Sequence, residues 1–225
     1  MALLTLKKVS LGFGDNTVIG GADFAIESGD FICIVGANGS GKSTLVRGIL
    51  GLIKPLKGEI IFGEGLKQRE IGYLPQETRV DANFPATVEE IVLSGCLGHM
   101  KLRPFYCHSE KSHVSRSLAA LGIENLKKKS FASLSGGQKQ KVLLARSLSA
   151  TKKLLILDEP SNNLDYKSRK AFYSSLKKLN AEQGLTIIMI THDLDADDLI
   201  GNKVLAIKEG KVALENTGKY LEAYK

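Results

Sequence analysis

Apolar positions along the chain fall into three regimes. In the first third, residues 3–9 alternate apolar and polar, and residues 18–26 run on to a turn at Ser28-Gly29-Asp30. A period of two is the mark of half-buried strands. Phe31-Ile32-Cys33-Ile34-Val35 is apolar without a break, as expected of a strand covered on both faces. A glycine-rich turn follows, then a segment of helical period over 43–50, and further strands over 58–62 and 71–74. From about 78 to 150 the period turns helical, with helices over 88–93, 111–121 and 136–150. Strand–helix alternation then resumes: strands over 154–157 and 186–190 with a helix over 167–180 between them, then 204–207 and 211–214 around a tight turn at Glu209-Gly210. Strands alternating with helices predict an α/β fold with a mainly parallel sheet covered on both faces. The expected organisation is one domain over 1–225, a core made of 1–76 and 151–225 interrupted by a helical subdomain at 77–150.

Two acids end the 154–157 strand: Leu157 is followed by Asp158-Glu159-Pro160. The C-terminal rim of a parallel sheet is where such folds bind ligands. The 31–35 strand reaches the same rim and runs into Gly36-Ala37-Asn38-Gly39-Ser40-Gly41-Lys42-Ser43-Thr44, which fits G-x-x-x-x-G-K-[ST] between a strand and a helix. Glycines let backbone N–H groups turn around a phosphate, and the helix N-terminus adds the positive end of its dipole. Lys42 would reach the β- and γ-phosphates of a nucleotide, and Ser43 would put a hydroxyl on Mg²⁺. Asp158 would hold the same ion, and Glu159 would polarise a water for attack on the γ-phosphate. Thr191-His192-Asp193 ends the 186–190 strand, which places His192 within reach of that phosphate.

Composition narrows the class without naming it. Of 225 residues, 43% are hydrophobic and 24% charged, which excludes disordered and collagen-like chains. No apolar run approaches the about 18 residues of a membrane span, and the N-terminus has no basic-then-apolar leader. Three cysteines without framework spacing fit a reducing cytosol. A net charge of +7 reads as a solvated basic surface with a mild pull on polyanions.

Leu134-Ser135-Gly136-Gly137-Gln138, together with the two sites above, makes the chain resemble the ATP-binding-cassette ATPases, the motor subunits of ABC transporters, over essentially its whole length, which implies a P-loop NTPase fold whose mainly parallel core sheet carries an antiparallel β subdomain and a helical insert. Ser135 and two glycines at a helix start form a second anion-binding surface by their own chemistry. The resemblance implies that the anion is the ATP of a second subunit, so that two copies sandwich two ATPs head to tail. It further implies that Phe13 stacks on adenine, that Gln76 joins the core to the helical subdomain and approaches Mg²⁺, that Asp165 crosses the dimer interface, and that His192 is the switch histidine. Simpler roles stay open for two of these: Phe13 as a core or hairpin aromatic, and Asp165 as a helix N-cap.

With no membrane span, transport would need separate permease subunits docked on the helical subdomain at the cytoplasmic face of the membrane, and import an extracytoplasmic substrate-binding protein besides. Ile71-Gly72-Tyr73-Leu74-Pro75-Gln76, followed by Phe84-Pro85-Ala86-Thr87-Val88-Glu89-Glu90, is similar to the zinc and manganese uptake branch, with Thr87 and Glu90 spaced as a capping box. Ser161-Asn162-Asn163-Leu164-Asp165-Tyr166 departs from that branch: it lacks the glycine before the aliphatic–Asp pair and the proline after it. Siderophore or haem import and an exporter motor therefore stand as alternatives. A soluble ATPase of the same type is the rival from another class, although no basic–aromatic strip of a nucleic-acid reader is present. Cys96, His99, Cys107, His108 and His113 crowd one stretch and read either as a zinc-ligating set or as a polar loop. Lys127-Lys128-Lys129 reads as a solvated turn, and Asp193, Asp195, Asp197 and Asp198 as acids suited to a helix start.

Overall fold

Two long strands open the chain and pair with each other. β1 (Ala2–Phe13) and β2 (Asn16–Glu27) run antiparallel from Ala2↔Glu27 to Phe13↔Asn16, and β1 takes β4 (Lys57–Phe62) on its other side. The computed structural model describes residues 2–76, 85–100, 103, 105–162, 164–191 and 199–223, the side chain of His99 excepted. A second sheet has the order β5 (Gly72–Leu74), β6 (Leu154–Asp158), β7 (Thr186–Ile190), β3 (Phe31–Val35), β8 (Lys203–Lys208), β9 (Lys211–Asn216). All its pairings are parallel except β8–β9.

The unbroken apolar runs are explained by two cores. Ile32 and Ile34 of β3, Leu154 and Ile156 of β6, and Ile188 and Ile190 of β7 face a core shared with β1, β2 and α1 (Lys42–Ile49). Their neighbours Phe31, Cys33, Val35, Leu155, Leu157, Ile187 and Met189 face the other core. That second core is built from α2 (Val88–Leu93), α4 (His108–Ala120), α5 (Gly136–Ser149) and α6 (Tyr166–Gln183). Each fully buried Leu or Ile contributes about 1.5–3 kcal/mol, so alternate residues of one strand hold both layers to the sheet.

Helix starts follow local chemistry. Thr87 caps α2 and Glu90 reaches back to its backbone N–H, the capping box expected from the sequence. α4 begins at His108, three residues before the expected start, because Glu110 accepts from the Cys107 N–H at 2.7 Å and fixes the turn there. α3 (Leu97–Met100) is a single turn. α7 (Thr217–Ala223) was not expected from periodicity: it is held by Thr217, whose hydroxyl donates to the Gly201 carbonyl at 2.7 Å, and by buried Tyr220.

Register brings the strand ends level. Ile190 lies opposite Asp158 on one side and Ile34 on the other, and Leu74 lies opposite Leu157. The residues after these positions therefore share one rim: Gln76 after β5, Glu159 after β6, Thr191 after β7 and Gly36 after β3.

Candidate active site

The loop between β3 and α1 is shaped by glycines that nothing else can replace. Gly36 has φ 154°, and a Cβ there would lie 2.5 Å from the Ile207 carbonyl oxygen and 2.7 Å from Ser40 Oγ. Gly41, at the N-cap of α1, has φ 107°, and a Cβ would meet Ile19 of β2 at 2.6 Å. Inside this loop the buried Lys42 ammonium donates to the carbonyls of Gly36 at 2.8 Å and Ala37 at 3.0 Å. Burial pulls the lysine below its ordinary value, and the nearby carboxylates of Glu159 and Asp158 act against that pull. Ser40 Oγ is buried with no hydrogen-bond partner among the described residues. Ser43 and Thr44 lie in the first turn of α1. A closed loop holding a cation, an orphan hydroxyl and a helix start is what an anionic phosphate chain complements.

Across the rim, Asp158 is buried, and its carboxyl is raised above the usual aspartate range, chiefly by burial and then by the charge of Glu159. Tyr73 approaches Asp158 Oδ2 at 3.5 Å. Glu159 stands in the left-handed region at φ 47°, with its N–H on the Ile190 carbonyl. Its Oε2 accepts from Gln76 Nε2 at 2.7 Å and from Asn162 Nδ2 at 2.5 Å. Hydroxyl, carboxylate and amide oxygens from Ser43, Asp158 and Gln76 would be the hard donors that Mg²⁺ takes, and a carboxyl whose charge is disfavoured by burial beside a second acid suits a divalent cation. A folded carboxyl raised above its unfolded value stabilises the fold fully below the unfolded value and loses that contribution as pH rises through the folded one. Asp158→Asn should therefore stabilise the ligand-free protein at pH 7 by about 1 kcal/mol. The gain should vanish below about pH 4, as read by urea unfolding at both pH values.

Ser135 caps α5 and Gln138 closes a capping box on it. Gly137 faces Ser168 of α6, and a cleft of about 380 Å³ lies between the two helix starts, lined by Ser135, Gly137, Gln138, Lys167 and Ser168. Asp165 is the N-cap of α6, accepting from Ser168 N at 3.0 Å and Ser168 Oγ at 2.6 Å, bonds that lower its carboxyl below the ordinary range. Phe13 is 52% exposed at the β1–β2 hairpin, so it is not a core aromatic. His192, Asp193, Asp195, Asp197, Asp198 and Phe84 lie outside the described residues.

The zinc-ligating set does not assemble among the described residues: no group of three His, Cys, Asp or Glu there is placed to hold a metal. Cys96 and His113 line one cleft without forming such a group, each engaged by a backbone carbonyl. Cys96 is buried with its thiol on the Ser149 carbonyl at 3.5 Å, pushed up to about 11 mainly by burial. Cys107 sits 3.0 Å from Ser109 Oγ, and His113 Nε2 lies 3.2 Å from the Leu148 carbonyl. Lys127 pairs with Glu89 at 3.2 Å instead of standing free in solvent. Two residues of the site escaped the sequence reading, Asn162 and Gln140, whose Nε2 donates to the Pro160 carbonyl at 2.6 Å. Pro160 as second residue of a turn was the available signal, since it predicts that Glu159 and Asn162 meet.

A protein-family model described as ABC transporter matches residues 19–162. The high-affinity zinc uptake system ATP-binding protein ZnuC of Bacillus subtilis is 37% identical over 218 residues, covering 94% of this chain and 93% of that protein. The chelated iron transport system membrane protein YfeB of Yersinia pestis is 36% identical over 216 residues, covering 93% of this chain and 73% of that one. Among solved structures, cbiO1 of Clostridium perfringens, part of the ABC transporter complex cbiONQ, superposes with a TM-score of 0.84 at 32% identity, covering 99% of this chain and 91% of that chain.

Proposed function

The chain belongs to the ABC transporter family as an ATP-hydrolysing cassette, and we propose that it is the motor subunit of an importer for a divalent transition metal, zinc or manganese. The carrying observation is the shared rim on which Lys42, Asp158, Glu159 and Gln76 converge, joined to the likeness with a zinc uptake subunit. No helix among the described residues is long and apolar enough to cross a membrane, which suits a subunit that works through separate permease subunits at the cytoplasmic face. The subdomain built on α2, α4 and α5 would carry the permease contact, and an extracytoplasmic binding protein would deliver the metal.

In this reading the loop from Gly36 to Thr44 wraps the phosphates and Phe13 stacks on adenine. Lys42 turns from the loop carbonyls to the β- and γ-phosphates. Ser43, Asp158 and Gln76 would hold Mg²⁺, which would neutralise phosphate charge when bound. Glu159 takes a proton from a water, whose oxygen bonds to the γ-phosphorus as the bond to the β-phosphate oxygen breaks and ADP leaves. His192 donates to the γ-phosphate. Ser135, Gly136, Gly137 and Gln138 of one copy close on the ATP of the second, with Asp165 at the interface between them. The cap geometry leaves the face of Gly136 open, with nothing within 4 Å of a Cβ built there, which favours an approaching phosphate.

The test is cellular metal content under chelation in cells whose only copy carries Glu159→Gln. A selective fall in zinc or in manganese is expected and names the substrate. Unchanged zinc and manganese would end the divalent-metal proposal and direct the search to chelated iron, exporters or a soluble role, with the ATPase assignment intact.

A further inference from the structure

The turn after β6 is anchored at each residue. The Asn162 N–H donates to the Glu159 carbonyl at 3.2 Å. The Pro160 carbonyl accepts from Gln140 of α5 at 2.6 Å. Ser161 Oγ accepts from the buried Tyr173 hydroxyl of α6 at 2.9 Å. Two helices thus fix the backbone that presents Asn162. From that backbone, Asn162 Nδ2 reaches Glu159 Oε2 at 2.5 Å, the oxygen that Gln76 also engages. Glu159 itself is in a left-handed conformation that residues with a Cβ seldom adopt, at φ 47°, and such conformations persist where the surroundings over-determine them.

We propose that Asn162 is a positioning residue for hydrolysis: its amide holds the Glu159 carboxylate in the orientation from which it accepts the proton of the attacking water. The inference rests on Glu159 as the base. A glutamate has three rotatable side-chain bonds, and its freedom is lost on ordering. A donor three residues away on the same anchored turn removes that freedom before ATP arrives. Gln76 cannot do this alone. It follows a different strand, β5, so its hold changes whenever β5 and β6 shift relative to each other, whereas the Asn162 hold travels with Glu159.

Steady-state ATPase of the full chain with Mg²⁺ and ATP decides it. Asn162→Ala and the isosteric Asn162→Asp, which replaces the donor by an acceptor, should each lower kcat about tenfold or more with KM for ATP within twofold. Asn162→Asp should do no better than Asn162→Ala. Asn162→Gln, which keeps an amide on a longer stem, should recover to within about threefold of the parent. If the alanine variant fails to fold, the aspartate variant carries the decision. A kcat within twofold of the parent for Asn162→Asp, or a loss expressed in KM alone, overturns the proposal. Glu159→Gln measured alongside separates the two claims. If that variant turns over normally, the base assignment falls and takes this proposal with it. If it is inactive while the Asn162 variants are normal, only this proposal falls.

Discussion

Glu159→Gln is expected to cut ATP turnover by at least about a hundredfold while leaving ATP binding in place. The substitution keeps the side chain's size and its acceptor oxygen, so the bonds from Gln76 and Asn162 to that position survive. What disappears is the capacity to take a proton, and a positioned general base is worth about 10²–10⁴ in rate. The phosphate loop keeps the carbonyl bonds that hold its lysine, and what it loses is the charge of Glu159 near Lys42, with the Asp158 carboxylate still in place. ATP that binds and is not cleaved keeps two copies closed around it. Size-exclusion chromatography should therefore show a dimer in Mg²⁺ and ATP for the variant and a monomer for the parent, with phosphate release measured on the same samples. Release at the parent rate would remove Glu159 from the role of base.

Much of the site was legible because its chemistry is local. The loop from Gly36 to Thr44 needs glycines where no Cβ fits, and the clash distances at Gly36 and Gly41 show why those letters stand there. The acids at 158 and 159 announce themselves by ending an apolar strand, and Ser135 with Gln138 is a capping pair visible from spacing alone. The two-sided burial of β3, β6 and β7 was likewise written in their unbroken apolar runs. Pairing partners were not legible. Nothing in residues 58–62 says that they add to β1 instead of to the larger sheet, since that choice is made by the shared core of Leu4, Leu6, Ile19 and α1. The bonds that join distant segments were hidden for the same reason. Gln140 and Pro160 are twenty residues apart, and they meet only once α5 has packed on the sheet. The cysteine–histidine stretch could be read two ways from the sequence: Cys96 and His113 do come together in the fold, on the adjacent carbonyls of Ser149 and Leu148, but no group of three ligands forms among the described residues.

Lys42→Ala is expected to weaken ATP binding by about a hundredfold. In the ligand-free protein the ammonium fills the loop, bonded to two of its own carbonyls and shielded from water. Those bonds hold the loop in the shape the phosphates need, and the same three N–H groups can be handed to phosphate oxygens without moving the backbone. A hydrogen bond to a charged group is worth about 1.5–3 kcal/mol, and about 2.7 kcal/mol corresponds to a hundredfold change. The lysine must be charged to do this. Burial works against the charge, and the carboxylates of Asp158 and Glu159 sustain it, so the acidic half of the rim supports the basic half. Lys42→Arg should fail to rescue, because a planar guanidinium does not reproduce the compact point charge that donates to the Gly36 and Ala37 carbonyls from one atom. Fluorescent nucleotide titration of both variants measures this directly. Near-parental affinity in Lys42→Ala would mean that the glycine loop and helix start bind the phosphates unaided, and that Lys42 serves only to close the loop on itself when no nucleotide is there.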